Sequence, residues 1–311
     1  MNTVAKEIRI SGVGIHSGKP ANMLVKPSEK PGIFFVRTDS KKKKLIPAAY
    51  GNVSDTALRN TTVGKYPDCV QTIEHLMAAL FVSGVDAAVI EIDGPEIPIL
   101  DGSAKEFCKI FSGKIKKIKG PAKTIIIKKE IVARQSEIVK KLPLTARAKL
   151  WLYNLLTGRK SDGFVRLYPY KNGLSADATL VYREPVIGAQ SREFLFDYTD
   201  AARKRFAAEI AAARTFGKFS EWEYLKARGM ARGASERNVI ALNDAGDGTL
   251  NPLYWPDEFV RHKITDILGD MFTSGGRVIG GVESYKGSHA LNNLALRKMF
   301  ADPENYEIIN L

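Results

Sequence analysis

The first third of the chain alternates apolar and polar residues with a period of two. Ile8 to Gly14, Asn22 to Pro27 and Ile33 to Arg37 each put their apolar residues on one face, the pattern of half-buried strands. From Gln71 to Phe81 the period changes. Ile73, Leu76, Met77, Leu80 and Phe81 recur at helical spacing. Ala87 to Ile92 then reads as a buried strand closed by the turn Asp93-Gly94-Pro95, and Ser103 to Ser112 as a helix with Phe107, Ile110 and Phe111 on one face.

Gly113 to Lys123 is rich in lysine and glycine, contains Pro121, and reads as a linker. It divides the chain into an N-terminal unit, 1–120, and a C-terminal unit, 121–311. The pattern then restarts with strands over Thr124 to Val132, Phe164 to Tyr168, Ser175 to Tyr182 and Glu193 to Tyr198. Helices follow over Asp200 to Ala213 and Phe259 to Phe272, then a strand over Val278 to Tyr285 and a helix over Ala290 to Phe300. Strands followed by helices in both halves predict an α+β fold, built as two copies of one small unit. One segment fits neither copy. Gln135 to Lys160 mixes leucines with Lys140, Lys141, Arg147, Lys149, Arg159 and Lys160. Beyond Pro143 it reads as a basic amphipathic helix, packed on the second unit or lying on an anionic membrane.

Composition narrows the class. The chain has 311 residues, 44% of them hydrophobic and 26% charged, as expected of a globular protein. No apolar run reaches the roughly 18 residues of a membrane span. Met1 to Ile10 carries Lys6, Glu7 and Arg9 instead of an apolar core, so no secretory signal is expected and the chain is expected in the cytoplasm. Cys69 and Cys108 are too few for a disulfide framework and are expected as free thiols. The net charge of +13 calls for an anionic partner: nucleic acid, a phosphate-bearing substrate or an acidic membrane. The basic runs, Lys41 to Lys44 and Lys114 to Lys129, lack the interleaved aromatic residues of a nucleic-acid platform, so no nucleic acid is expected.

The chemistry is carried by few residues. There are four histidines: His16, His75, His262 and His289. On a helix over Arg261 to Phe272, His262, Asp266 and Asp270 fall at i, i+4 and i+8, near one face. Such a pair can be a helix-stabilising contact or two ligands of one ion. His75 can be a core histidine or the third ligand that leaves a catalytic metal one open position. Glu74 beside it is then placed as a general base.

Longer strings decide between these. Gln71-Thr72-Ile73-Glu74-His75-Leu76-Met77-Ala78-Ala79-Leu80 closely resembles the first metal-ligand motif of the UDP-3-O-acyl-N-acetylglucosamine deacetylases of lipid A synthesis. Asp93 to Ala104 and Pro256 to Asp270 resemble two further segments of that family, as do Ser11 to Lys19, Ala213 to Gly217 and His289 to Asn293. The matches are collinear from Ile8 to Phe300. The resemblance implies two domains of similar two-layer α/β-sandwich topology with the active site between them. It implies zinc, or ferrous iron, on His75, His262 and Asp266. It implies Glu74 as general base, His289 as the imidazolium facing the oxyanion or leaving amine, and Asp270 as the carboxylate that charges it. Thr215 would bind the oxyanion, Lys263 would lie near the sugar nucleotide, and Phe216 would line the acyl-chain passage. The substrate would be an amphiphilic UDP-sugar lipid, reached by a monomer in peripheral contact with the anionic inner membrane. A zinc amidase acting on another N-acyl sugar is the nearest alternative chemistry, and a basic nucleic-acid-binding protein the alternative of another class. Two departures stand out. Ser288 replaces the glycine that the family has before its last histidine, and Gln135 to Lys160 is longer than the corresponding family segment. His16, Glu96 and Asp101 are expected to serve loop structure.

Overall fold

A computed structural model describes residues 1–55, 60–157 and 162–310. The fold is α+β, and its two halves share one topology. In the first, the hub strand β8 (Ala87–Ile92) runs antiparallel to β3 (Pro20–Pro27) and parallel to β4 (Gly32–Arg37). At its start it pairs in parallel with β1 (Asn2–Val4). Three strands extend this sheet: β2 (Ile8–Val13) on β3, β5 (Leu45–Pro47) on β4, and β9 (Ile115–Lys117) on β1. In the second half β17 (Arg277–Tyr285) is the hub. It runs antiparallel to β12 (Phe164–Tyr168) and parallel to β13 (Leu174–Val181) and β10 (Lys123–Ile127). The outer strands again correspond: β11 (Ile131–Arg134) on β12, β14 (Ala189–Phe196) on β13, and β18 (Tyr306–Asn310) on β10. Each hub is preceded by one helix and followed by another: α1 (Glu74–Ser83) and α2 (Lys105–Phe111) in the first half, α7 (Glu258–Phe272) and α8 (His289–Phe300) in the second.

Insertions break the symmetry. The first half carries the hairpin of β6 (Val53–Asp55) and β7 (Thr62–Val63) before α1. The second carries α5 (Asp200–Glu209), α6 (Phe219–Ala227) and the parallel pair β15 (Phe216–Lys218) and β16 (Ile240–Leu242) before α7. Between β11 and β12 it also carries α3 (Gln135–Lys140) and α4 (Leu144–Thr157). Among the described residues no helix is long and apolar enough to cross a membrane.

The linker reading needs correction. Gly113 to Lys123 contains β9, whose register on β1 aligns Ile115 with Val4 and Lys117 with Asn2. Lys116 and Lys117 of this short edge strand are both exposed, so its lysines concealed it. The single strand expected over Thr124 to Val132 is two, β10 and β11, separated at Lys128–Glu130. The helix expected to reach Ala213 ends at Glu209. Gly158 to Lys160, the end of the basic segment, lie outside the described residues.

The two halves meet through their central helices. Helix α1 is buried from Glu74 to Val82, apolar on every side beyond its first turn, as a helix enclosed between layers must be. Helix α7 crosses it. A Cβ on Gly269 would stand 2.1 Å from the carbonyl oxygen of Glu74 and 3.2 Å from the amide nitrogen of Ala78. Only a residue without a side chain permits that approach. The obstacle is helix backbone, which cannot turn aside as a side chain can. Gly269→Ala is therefore expected to lower unfolding free energy by about 2 kcal/mol or more. A denaturant midpoint equal to wild type would show that the helices do not cross this closely.

Candidate active site

The α1–α7 crossing sets the site. Glu74 and His75 are the first two residues of α1, and His262, Asp266 and Asp270 stand one turn apart on α7. His75 Nε2 lies 3.8 Å and His262 Nε2 3.5 Å from Asp266 Oδ1. The two imidazoles meet edge to face at 4.9 Å. One ligand atom from each of His75, His262 and Asp266 lies within 4.8 Å of the others, and all three residues are buried.

This donor set fits a small divalent cation. Ligand bonds of about 2 Å put neighbouring corners of a tetrahedron about 3–3.5 Å apart, close to these separations. Asp266 Oδ1 and His75 Nδ1 are buried with no hydrogen-bond partner among the described residues. A buried carboxylate oxygen facing two imidazoles is costly without a cation. His262 Nδ1 lies 3.0 Å from the carbonyl oxygen of Ala213. Donation there leaves Nε2 as the free lone pair toward Asp266, the usual orientation of a metal-binding histidine. Burial and the neighbouring His262 push the His75 pKa down to about 3, so its ring is neutral. Burial likewise lowers the His262 pKa. Burial opposes ionisation of Asp266, but His262, Lys263, His289 and His75 outweigh it and hold its pKa well below the usual carboxylate range.

Two titratable groups flank the cluster. Burial pushes Glu74 up to about 7, and Asp266 adds to the rise. The backbone N–H of Thr61 donates to Glu74 Oε2 at 2.9 Å. Across the site, His289 Nδ1 lies 2.7 Å from Asp270 Oδ2, and Nε2 lies 3.9 Å from Asp266 Oδ2. Burial works against the imidazolium, yet Asp270, Asp266 and Glu74 overcome it and push the His289 pKa up to about 10. His289 is the first residue of α8, where the helix dipole disfavours a cation, so these carboxylates must supply the whole effect. Asp270 is itself fixed from three sides, by His289, by Asn292 Nδ2 at 2.7 Å and by the Thr61 hydroxyl at 2.5 Å.

Ser288 does no harm where glycine was expected. Its φ is −150°, ordinary extended backbone, and its hydroxyl caps α8 by accepting from Leu291 N. Space is tighter at Gly287, where a Cβ would crowd the Ser284 side chain.

The remaining predicted residues are placed unevenly. Phe216 stands edge-on to His262 at 6.2 Å and to Phe259 at 5.0 Å. Lys263 Nζ lies 5.4 Å from the Phe216 ring centre but donates to Asp266 Oδ2 at 2.8 Å, so its charge is engaged at the cluster. Thr215 is held through its backbone, its N–H to Gly102 and its carbonyl from Ile240. Among the described residues its hydroxyl makes no hydrogen bond. Glu96 is buried and accepts from the N–H groups of His16 and Ser17 and from the Thr72 hydroxyl. It holds the loop before α1 to the loop bearing His16, a structural task as expected. Cys69 and Cys108 are free thiols, buried and half-buried.

Thr61, Asn292 and the Ala213 carbonyl were not foreseen. Asn292 had a signal, since it falls three residues after His289 on the same helix face. Thr61 had none, because its role depends on the β6–β7 insertion folding back onto both helices. A second unforeseen element is the buried pair Arg214–Glu258. The guanidinium bonds both carboxylate oxygens at 2.9 and 3.2 Å. It ties the start of α7 to the segment carrying Ala213 and Phe216. Arg214→Met would strand the Glu258 charge in the interior. The expected loss is about 3–5 kcal/mol of stability, read from denaturant unfolding. A loss under about 1 kcal/mol would mean the pair does not bear on this junction.

A family model described as UDP-3-O-acyl N-acetylglycosamine deacetylase matches residues 1–154 and 144–301. The chain is 38% identical over 311 residues to the UDP-3-O-acyl-N-acetylglucosamine deacetylase of Myxococcus xanthus, covering 99% of this chain and 88% of that protein. The proteins of the same name from a Nitratiruptor species and from Tolumonas auensis are 37% and 32% identical. Each comparison covers 99% of this chain and 92% of the relative.

Proposed function

The chain belongs to the UDP-3-O-acyl N-acetylglycosamine deacetylase family, and on that premise we propose that it hydrolyses the N-acetyl group of UDP-3-O-[(R)-3-hydroxyacyl]-N-acetylglucosamine. Acetate is released, and the reaction is the committed step of lipid A synthesis. The observation that carries this reading is the convergence of His75, His262 and Asp266, with Glu74 on one side and His289 on the other.

In this reading His75, His262 and Asp266 hold zinc, and the same two imidazoles and carboxylate accept ferrous iron. The ion supplies Lewis acidity, which polarises an amide carbonyl and lowers the pKa of water to about 7. Glu74 is the general base. Its pKa near 7 suits it to accept a proton at neutral pH, and the Thr61 N–H fixes its orientation. His289 is a proton held ready. Charged by Asp270, its Nε2 faces the negative charge that develops on the carbonyl oxygen and protonates the departing amine. Thr215 adds a hydroxyl donor toward that oxyanion. Phe216 contributes to an apolar passage for the acyl chain, and Lys263 lies where the sugar nucleotide enters. The chain divides near residue 120, the first domain supplying His75 and the second His262, Asp266 and the acyl passage. The enzyme works as a monomer in the cytoplasm, at the membrane surface where its lipid-bearing substrate resides.

Metal analysis of wild type beside His262→Ala, each assayed for acetate release, tests the centre. About one metal per wild-type chain is expected, as for a mononuclear catalytic site. The variant should lose both metal and activity. An active, metal-free wild type would overturn the mechanism.

The role of His289 predicts a pH effect with a definite sign. The acid must keep its proton, so kcat/KM should fall as pH rises toward 10. Asp270→Asn removes the largest influence raising the His289 pKa and leaves burial to lower it. The alkaline limb should then move down by about one pH unit or more. An unmoved limb in an active variant would remove His289 as the acid.

A further inference from the structure

The segment between β11 and β12 belongs to neither copy of the repeated unit. The family model matches the chain in two pieces that overlap at 144–154, inside α4. Helix α3 is anchored. Ile138 packs on the core, Glu137 takes up Lys298 Nζ at 3.0 Å, and Gln135 N donates to the Gly163 carbonyl. From Lys140 to Lys149 every residue but Ala146 is exposed. Leu142, Leu144, Ala148 and Leu152 are exposed, Leu144 at 77% of its full surface. Leu144, Ala148 and Leu152 follow at intervals of one helical turn, so they share a face of α4. A helix face bearing two open leucines is unfavourable in water and needs a cover.

Charge indicates which cover. From Ile138 to Ser161 the sequence contains Lys140, Lys141, Arg147, Lys149, Arg159 and Lys160 and no acidic residue. Arg147 and Lys149 are exposed on the same helix as the leucines, and Lys140 and Lys141 are exposed at the joint before it. Lysine and arginine beside an apolar face can lay their methylene stems along the hydrocarbon boundary and keep their charges among headgroups. A phosphate backbone would satisfy the basic residues and leave the leucines in water. A second copy of the chain would bring equal positive charges together.

We propose that α4 is a docking element for an anionic lipid surface, with Leu144 and Leu152 entering the headgroup–acyl boundary and Arg147 and Lys149 contacting lipid phosphates. The element is separate from the cluster on α1, α7 and α8. It brings the protein to the surface and takes no part in the reaction.

Flotation of the full chain with vesicles tests this. Binding is expected to phosphatidylcholine vesicles containing about one-third phosphatidylglycerol, to weaken as salt is raised, and to be absent with phosphatidylcholine alone. Leu144→Ser with Leu152→Ser, and separately Arg147→Glu with Lys149→Glu, should each cut binding about tenfold or more. Both variants should keep wild-type circular dichroism and wild-type acetate release from a detergent-dispersed substrate. That assay also separates the proposal from the deacetylase reading, since either can fail alone. Undiminished vesicle binding by both variants would overturn the proposal and assign attraction to the other basic runs. A wild type that binds an oligonucleotide but no vesicle would assign the helix to nucleic acid. A dimer abolished by the leucine substitutions without lipid present would assign the face to a second copy.

Discussion

The site depends on how closely α1 and α7 cross. Ordinary helix pairs keep their axes about 8–10 Å apart because side chains fill the space between them. At Gly269 nothing fills it, and the backbone of α7 rests on the first turn of α1. That contact brings the first residues of one helix level with the middle of the other. Glu74 and His75 thereby meet Asp266 and Asp270 with no loop between them, and the ligand geometry inherits the rigidity of two buried helices.

Such closeness concentrates charge in a buried part of the molecule. Three buried carboxylates, Glu74, Asp266 and Asp270, lie beside the half-buried Lys263 and the buried imidazolium of His289, while His75 and His262 are neutral. With Glu74 ionised, the acids outnumber the cations by one. A divalent cation there would reverse that balance, beside Asp266 Oδ1, which among the described residues has no hydrogen-bond partner. The opposite pKa shifts of Glu74 and His289 have the same origin. Burial penalises both ions, but His289 has Asp270 in direct contact, whereas at Glu74 the charge of His289 and the Thr61 N–H offset burial only in part and Asp266 adds to the rise. Environments that push two groups apart in this way sort them into acid and base roles.

Much of this was legible in the sequence, for identifiable reasons. The hub strand Ala87–Ile92, the helix Glu258–Phe272 and the repeat of strands before helices follow from the spacing of their apolar residues. The i, i+4 spacing of His262 and Asp266 is enough to put both on one side of a helix. Spacing alone could not choose between a surface pair and a metal site, and the longer family strings made that choice. Other features stayed hidden because they arise only from packing. Thr61 reaches Asp270 across a separation of 209 residues. Arg214 finds Glu258 only once α7 is docked. Edge strand β9, with two lysines in three residues, has too little apolar pattern to be read locally.

The duplication explains why the fold yields one site and not two. Helices α1 and α7 occupy equivalent places before their hub strands, and a symmetric pair could have carried equivalent ligands. Their sequences divide the work instead. One turn beyond His75, where α7 carries Asp266 after His262, α1 has Ala79. Neighbouring Ala78 is the residue whose backbone Gly269 approaches. Acids on α1 at these positions would have held the helices apart by their bulk and their like charge. Small residues on one helix thus permit Asp266 on the other to come within 3.8 Å of His75. The asymmetry extends outward, since Glu74 comes from the first half and His289 from the second. The repeated unit supplies the architecture, and the loss of equivalence between its two central helices leaves a polar centre with the Glu74 carboxyl on one side and the His289 imidazolium on the other.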